Sequence, residues 1–174
     1  MNIVVIEDEI RIREGIVRLL GKINNNYKVI GEAFDGEEGV NLCLDLRPDL
    51  IITDIKMPKK DGLEMLTELK KMDMDFNAIV LSAYSEFEYA KKAISLGVTE
   101  YLLKPVSVPE FRKSLETVEY KIYERRQKKP QQIGTLEQLF RDVVIQGISI
   151  EEETLSYLDN NFGIRSEEHT SELQ

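Results

Sequence analysis

The chain has 174 residues, 42% of them apolar, and a formal charge of −9. That length suffices for one full domain and part of a second, and the acidic balance excludes nucleic acid as a general ligand. A single cysteine, Cys43, excludes an internal disulfide and a thiolate metal cluster. It sits between Leu42 and Leu44 and reads as a small core residue.

Met1 leads straight into the β-branched run Ile3-Val4-Val5-Ile6, with no basic leader and no long apolar stretch. A cytoplasmic protein without membrane contact is therefore expected. Ile12, Ile16, Leu19 and Leu20 then recur at helical spacing. Val29-Ile30 is a second short strand candidate, followed by a helical stripe of Val40, Cys43 and Leu44. Leu50-Ile51-Ile52 precedes a stripe of Leu63, Leu66 and Leu69, and Ala78-Ile79-Val80-Leu81 precedes one of Phe87, Ala90, Ile94 and Gly97. Tyr101-Leu102-Leu103 is a fifth strand candidate, and Phe111, Leu115, Val118 and Ile122 mark a fifth helix. Gly21, Pro48, Pro58, Gly62, Gly97 and Pro109 punctuate the changes of element.

Continuously apolar short strands alternating with amphipathic helices predict an α/β, doubly wound parallel sheet with helices on both faces. Ligands of such sheets collect outside the carboxyl ends of the strands, where the strand order reverses. The first strand ends in Glu7-Asp8, the third in Thr53-Asp54 and the fourth in Ser82-Ala83, while the fifth leads to Lys104-Pro105. Two like charges about 4 Å apart repel by roughly 4 kcal/mol at an effective dielectric near 20. Glu7, Asp8 and Asp54 gathered at one edge therefore need a cation or a raised pKa. Hard oxygen donors without imidazole or thiolate favour Mg2+. Taken singly, each residue has a plainer reading as a helix cap or solvated charge; the joint placement at successive strand ends argues for a site.

Five segments in order carry a resemblance: Val5-Ile6-Glu7-Asp8-Glu9, Ile52-Thr53-Asp54-Ile55-Lys56-Met57-Pro58, Asp61-Gly62, Leu81-Ser82-Ala83-Tyr84 and Tyr101-Leu102-Leu103-Lys104-Pro105. The chain resembles the response-regulator receiver family of two-component signalling over residues 1 to about 125. One departure is Glu7, where the family more often has aspartate. The resemblance implies a five-stranded, flavodoxin-like sheet of order 2-1-3-4-5, and Asp54 as the acceptor of a phosphoryl group from a sensor histidine kinase. It further implies Mg2+ held by Asp8, Asp54 and the backbone carbonyl of Lys56, with Glu7 in the outer sphere. Lys104 and the Ser82–Ala83 corner would bind the phosphoryl group, Tyr101 would switch with Ser82, and the Lys104–Pro105 peptide would be cis. Lys56 and Tyr84 would overhang the approach of hydrolytic water. The readout face would be helix four, strand five and helix five, offered to partners or a second subunit. The activity implied is self-phosphorylation with slow autodephosphorylation, not turnover of a substrate.

Two rival readings have sequence tests. A haloacid-dehalogenase-type phosphatase would place an Asp-x-Asp pattern after the first strand, where this chain has Glu7-Asp8-Glu9. A receiver-like interaction module would lack Asp54 or Lys104, and both are present. A stand-alone phosphorelay carrier remains a third reading. Ser82 to Ala90 also resembles the subfamily with an AraC-type helix-turn-helix output, so the full-length protein is expected to regulate transcription and to reach DNA only through a domain not present in this sequence. The expected layout is a receiver at 1–126, a linker at 127–134 and a partial helical region at 135–164, with apolar stripes at Leu136–Val144 and Leu155–Phe162. Residues 165–174 back-translate to a common sequencing adapter and read as a non-native tail, so His169 carries no function.

Overall fold

The structure is a computed structural model that describes residues 1–83 and 87–146, with side-chain surroundings up to Gln127. Tyr84, the stripe expected at 155–162 and the tail at 165–174 lie outside the described residues. The chain divides into two compact units, Met1–Glu124 and Arg125–Gln174.

The first unit alternates β1 (Asn2–Ile6), α1 (Ile10–Ile23), β2 (Lys28–Ala33), α2 (Gly36–Leu46), β3 (Leu50–Asp54), α3 (Gly62–Lys71), β4 (Ala78–Ser82), α4 (Phe87–Leu96) and β5 (Glu100–Leu103). The last helix, α5, spans Val108–Gln146, so the stretch expected as a linker at 127–134 is helical. All strands are parallel, in the order β2-β1-β3-β4-β5. That is the arrangement expected from the sequence.

Strand periodicity sorts the core into two layers. Val4, Ile6, Ile51, Ala78 and Val80 face one side, where Val40 and Cys43 of α2, Leu63, Met65, Leu66 and Leu69 of α3, and Ala93 of α4 cover them. Ile3, Val5, Leu50, Ile52, Ile79 and Leu81 face the other, against Ile16 and Leu20 of α1 and Phe111, Leu115 and Val118 of α5. Burial on both faces is why β1, β3 and β4 read as continuous apolar runs. β2 is an edge strand and carries a register shift against Ile3/Val4, so its apolar signal was short.

α4 departs from expectation. Phe87 and Ile94, two members of the apolar stripe expected along it, are each 75% exposed. The helix instead buries Ala93 and packs Tyr89 and Leu96 against the core. Two apolar stripes run along this helix about one residue apart, and periodicity alone does not say which one meets the sheet.

The chain reverses direction in strand order between β1 and β3, which opens a crevice at their carboxyl ends. α3 is drawn close to that crevice by Gly62. Its amide donates to the Ile55 carbonyl at 2.8 Å, and a Cβ there would stand 2.0 Å from the Asp54 backbone oxygen. Asp61 opens the helix with a capping box, its carboxylate accepting from the Glu64 amide while Glu64 accepts from the Asp61 amide.

Candidate functional site

β1 delivers Glu7 and Asp8 to the crevice, β3 delivers Asp54, and the segment after β5 delivers Lys104. Carboxylate oxygens of Glu7, Asp8 and Asp54 all lie within 4.8 Å of one another. Glu7 is fully buried and Asp54 nearly so, while Asp8 is half-buried. Lys104 Nζ reaches between two of them, donating to Asp54 Oδ2 at 2.7 Å and to Glu7 Oε2 at 2.8 Å. The other Asp54 oxygen, Oδ1, accepts from the Ile55 amide at 2.6 Å. Both oxygens of the Asp54 carboxylate are thus oriented by hydrogen bonds.

The electrostatics follow from burial and crowding. Burial is the largest influence on Glu7 and pushes its carboxyl above the ordinary range, the Asp54 charge adds to that, and Lys104 pulls the other way. Burial by itself would lower the Lys104 ammonium, but its hydrogen bonds to Asp54 and Glu7 and their charges outweigh it and hold its pKa above the ordinary value. One ammonium does not balance three clustered carboxylates, and Glu7 Oε1 is buried with no hydrogen-bond partner. A donor set of hard oxygens with an unmatched buried oxygen fits a small divalent cation such as Mg2+.

Of the other expected site residues, Ser82 is buried at the end of β4, and its carbonyl accepts from the Lys104 amide at 2.7 Å. Ala83 is exposed beside it. The Lys104–Pro105 peptide is cis. Tyr101 is half-buried and packs on the α4 side of the sheet with Tyr89, Leu96 and Val98. Lys56 is exposed on the loop after Asp54, with its ammonium 4.9 Å from the centroid of the Tyr89 ring.

Sequence reasoning missed the residues that hold the loops. Arg13, on α1, donates from Nη1 to the Glu7 carbonyl at 2.6 Å and from Nε to Glu32 at 3.3 Å, tying the β1–α1 corner to the edge strand. The loop after β3 is pinned to the start of α2. There Asp35 caps the helix through the Glu38 amide and pairs with Lys59 at 2.8 Å, and the Gly36 amide donates to the Lys60 carbonyl at 3.1 Å. Lys59 holds a left-handed backbone with φ 61°. Nothing in the spacing of Arg13, Asp35 or Lys59 signals these partners, because each bond joins segments that meet only in the fold. An apolar cleft of about 500 Å3, lined by Ile12, Ile16, Leu19, Val106 and Phe111, adjoins the base of Lys104. Lys104 is the one charged side chain among its lining residues, and its ammonium is engaged by Asp54 and Glu7 in the charged corner.

Comparison with known proteins agrees with this geometry. Residues 3–116 match the family model described as the response regulator receiver domain. The chain is 37% identical over 124 residues to an uncharacterized response regulatory protein of Staphylococcus epidermidis, covering 71% of this chain and 49% of that protein. It is 40% identical over 105 residues to the transcriptional regulatory protein HptR of Staphylococcus aureus, covering 60% of this chain and 41% of that protein. The chain thus spans about half the length, or less, of these curated relatives. Among solved structures, the REC domain of AraT, a response regulator from Geobacillus stearothermophilus, superposes with a TM-score of 0.65 at 35% identity, over 72% of this chain and 97% of that one. The parallel sheet, the acidic corner bridged by a lysine and the matched family together place residues 3–116 in one class: the chain belongs to the response regulator receiver domain family.

Proposed function

We propose that this receiver domain takes a phosphoryl group on Asp54 from a phosphohistidine of a sensor histidine kinase. The observation that carries the reading is the Asp54 carboxylate, oriented by Ile55 and Lys104 inside a three-carboxylate corner. Asp54 Oδ2 attacks phosphorus in line; the new O–P bond forms as the P–N bond breaks, and the imidazole nitrogen leaves with the electron pair. Charge on the transferred oxygens is what such a site must neutralise. Lys104, already at the acceptor oxygen, pairs with one phosphoryl oxygen, and the Ser82 hydroxyl and Ala83 amide serve others. Glu7, Asp8, Asp54 and the Lys56 carbonyl would hold Mg2+, which supplies charge neutralisation on the phosphoryl oxygens. Lys56 and Tyr84 gate the hydrolytic water, so that the domain is a switch with slow autodephosphorylation and not a turnover enzyme.

Once phosphorylated, Ser82 is drawn towards the phosphoryl group and Tyr101 turns into the vacated space. That movement changes the face of α4, β5 and α5, where a second copy would dock. Among the described residues no helix is long and apolar enough to cross a membrane, in keeping with a cytoplasmic switch. Similarity to HptR supports a role in transcription regulation, with DNA bound by a region outside this sequence. An AraC-type output and a receiver boundary near residue 126 are part of the same reading. Acetyl phosphate with Mg2+ should label the wild type, and Asp54→Ala should take no label. Efficient labelling of Asp54→Ala would refute the assignment.

A further inference from the structure

Lys56 and Tyr89 come from different segments near the site, a loop and a helix. β3 and β4 are neighbours, with Asp54 of one paired to Leu81 of the other. Asp54 thus ends its strand beside the carboxyl end of β4. Lys56 lies on the loop after β3, two residues past Asp54, and Tyr89 lies in the first turn of α4, the helix after β4. The Lys56 ammonium stands 4.9 Å from the Tyr89 ring centroid, within cation–π range. The two partners differ in firmness. Lys56 is exposed on a loop, whereas Tyr89 is half-buried and packed into the core layer that also holds Tyr101, Leu96 and Val98. A flexible cation is therefore moored to a ring that the fold holds in place.

We propose that Tyr89 is a positioning residue for the phosphoacceptor site: its ring holds the Lys56 side chain as a bar between the β3–α3 loop and α4, across the mouth above Asp54. The inference rests on the reading of Asp54 as phosphoacceptor and of Lys56 as a gate to water. It adds the group that sets where that gate stands, and it ties the gate to α4, whose Tyr89 and Leu96 pack against the same core layer as Tyr101. When the ring is removed, the attraction that draws the lysine ammonium to the Tyr89 ring is lost, leaving the in-line approach to phosphorus more open. An exposed cation–π contact shifts such a population by about two- to fivefold. The hydroxyl of Tyr89 is not needed for this role, because the ring face carries the attraction.

The test has two arms on the full chain. In the first, without phosphorylation, proton NMR reads the Lys56 ε-methylene resonances, which a ring 4.9 Å away shifts upfield. The shift should persist in Tyr89→Phe and vanish in Tyr89→Leu; its absence from the wild type would overturn the mooring. In the second, the wild type, Tyr89→Phe, Tyr89→Leu, Lys56→Met and the Tyr89→Leu/Lys56→Met double variant are labelled with acetyl phosphate and Mg2+, and decay is followed. Tyr89→Phe should decay like the wild type. Tyr89→Leu and Lys56→Met should each decay about two- to fivefold faster, and the double variant no faster than Lys56→Met. Labelled Tyr89→Leu that decays at the wild-type rate would overturn the proposal. So would a Tyr89→Leu effect that survives in the Lys56→Met background, since Tyr89 would then act through packing alone. A wild type that takes no label on Asp54 overturns the phosphoacceptor reading instead, and the NMR arm distinguishes that failure from failure of the mooring.

Discussion

Tyr27 shows how a residue outside the site shapes the pH range of the domain. Its side chain is buried in the layer that also holds Leu115 and Val118 of α5, and is hydrogen-bonded to Glu119. Burial, reinforced by the Glu119 charge, raises the phenol from 10.0 to about 12. The unfolded chain releases this proton near pH 10 while the folded chain keeps it. Stability is therefore full below pH 10 and falls as pH rises towards about 12. Urea midpoints measured between about pH 9 and 11.5 should decline in the wild type and decline less in Tyr27→Phe; equal slopes would contradict this account. Gly62 is the residue with the least room for change. A Cβ there would press on the Asp54 backbone oxygen at 2.0 Å, so Gly62→Ala should cost about 3 kcal/mol in urea unfolding and impair labelling of Asp54. A wild-type midpoint would show that the α3 start can move. Sequence exposed the chemistry of Asp8, Asp54 and Lys104 through their places at strand ends, but not the holding roles of Arg13 or Lys59, whose partners are distant in the chain.

At the scale of elements, α4 is the informative helix. It buries one small side chain, Ala93, and leaves Phe87 and Ile94 in solvent. Single exposed apolar residues contribute little, so Phe87→Ser should change stability by less than about 0.5 kcal/mol. Ala93→Leu forces extra methylenes into a filled layer and should cost about 1–3 kcal/mol. The reverse ranking in thermal unfolding would restore the helix orientation expected from periodicity. α2 is held at its start by the Asp35 cap, whose carboxyl lies below its ordinary range because it accepts from the Glu38 amide and pairs with Lys59. A lowered carboxylate contributes stability above its unfolded value and loses it as pH falls through the folded one. α2 and the pinned β3–α3 loop are thus acid-sensitive together.

At the scale of the molecule, both core layers are built from residues between Ile3 and Val118, with Ile122 packed at the margin. The unit Met1–Glu124 therefore contains its whole described core. A fragment ending at residue 124 should unfold cooperatively, with Tm within a few degrees of the full chain. A broad, non-cooperative transition would show that residues beyond Glu124 supply part of that core.

Read by itself, the sequence determined the fold class, the strand order through its likeness to a family, and the strand-end residues of the site. These are local properties: apolar runs bounded by breakers, helical periods, and polar residues at the ends of apolar runs. The tertiary structure decided which stripe of α4 is buried, that β2 is a bulged edge strand, that Lys104 is shared between Asp54 and Glu7, and that Lys56 rests on Tyr89. Each of these depends on distance between segments far apart in the chain. Alternation and spacing record which face of an element is apolar, whereas the partner a side chain meets across a gap is set only when the elements pack.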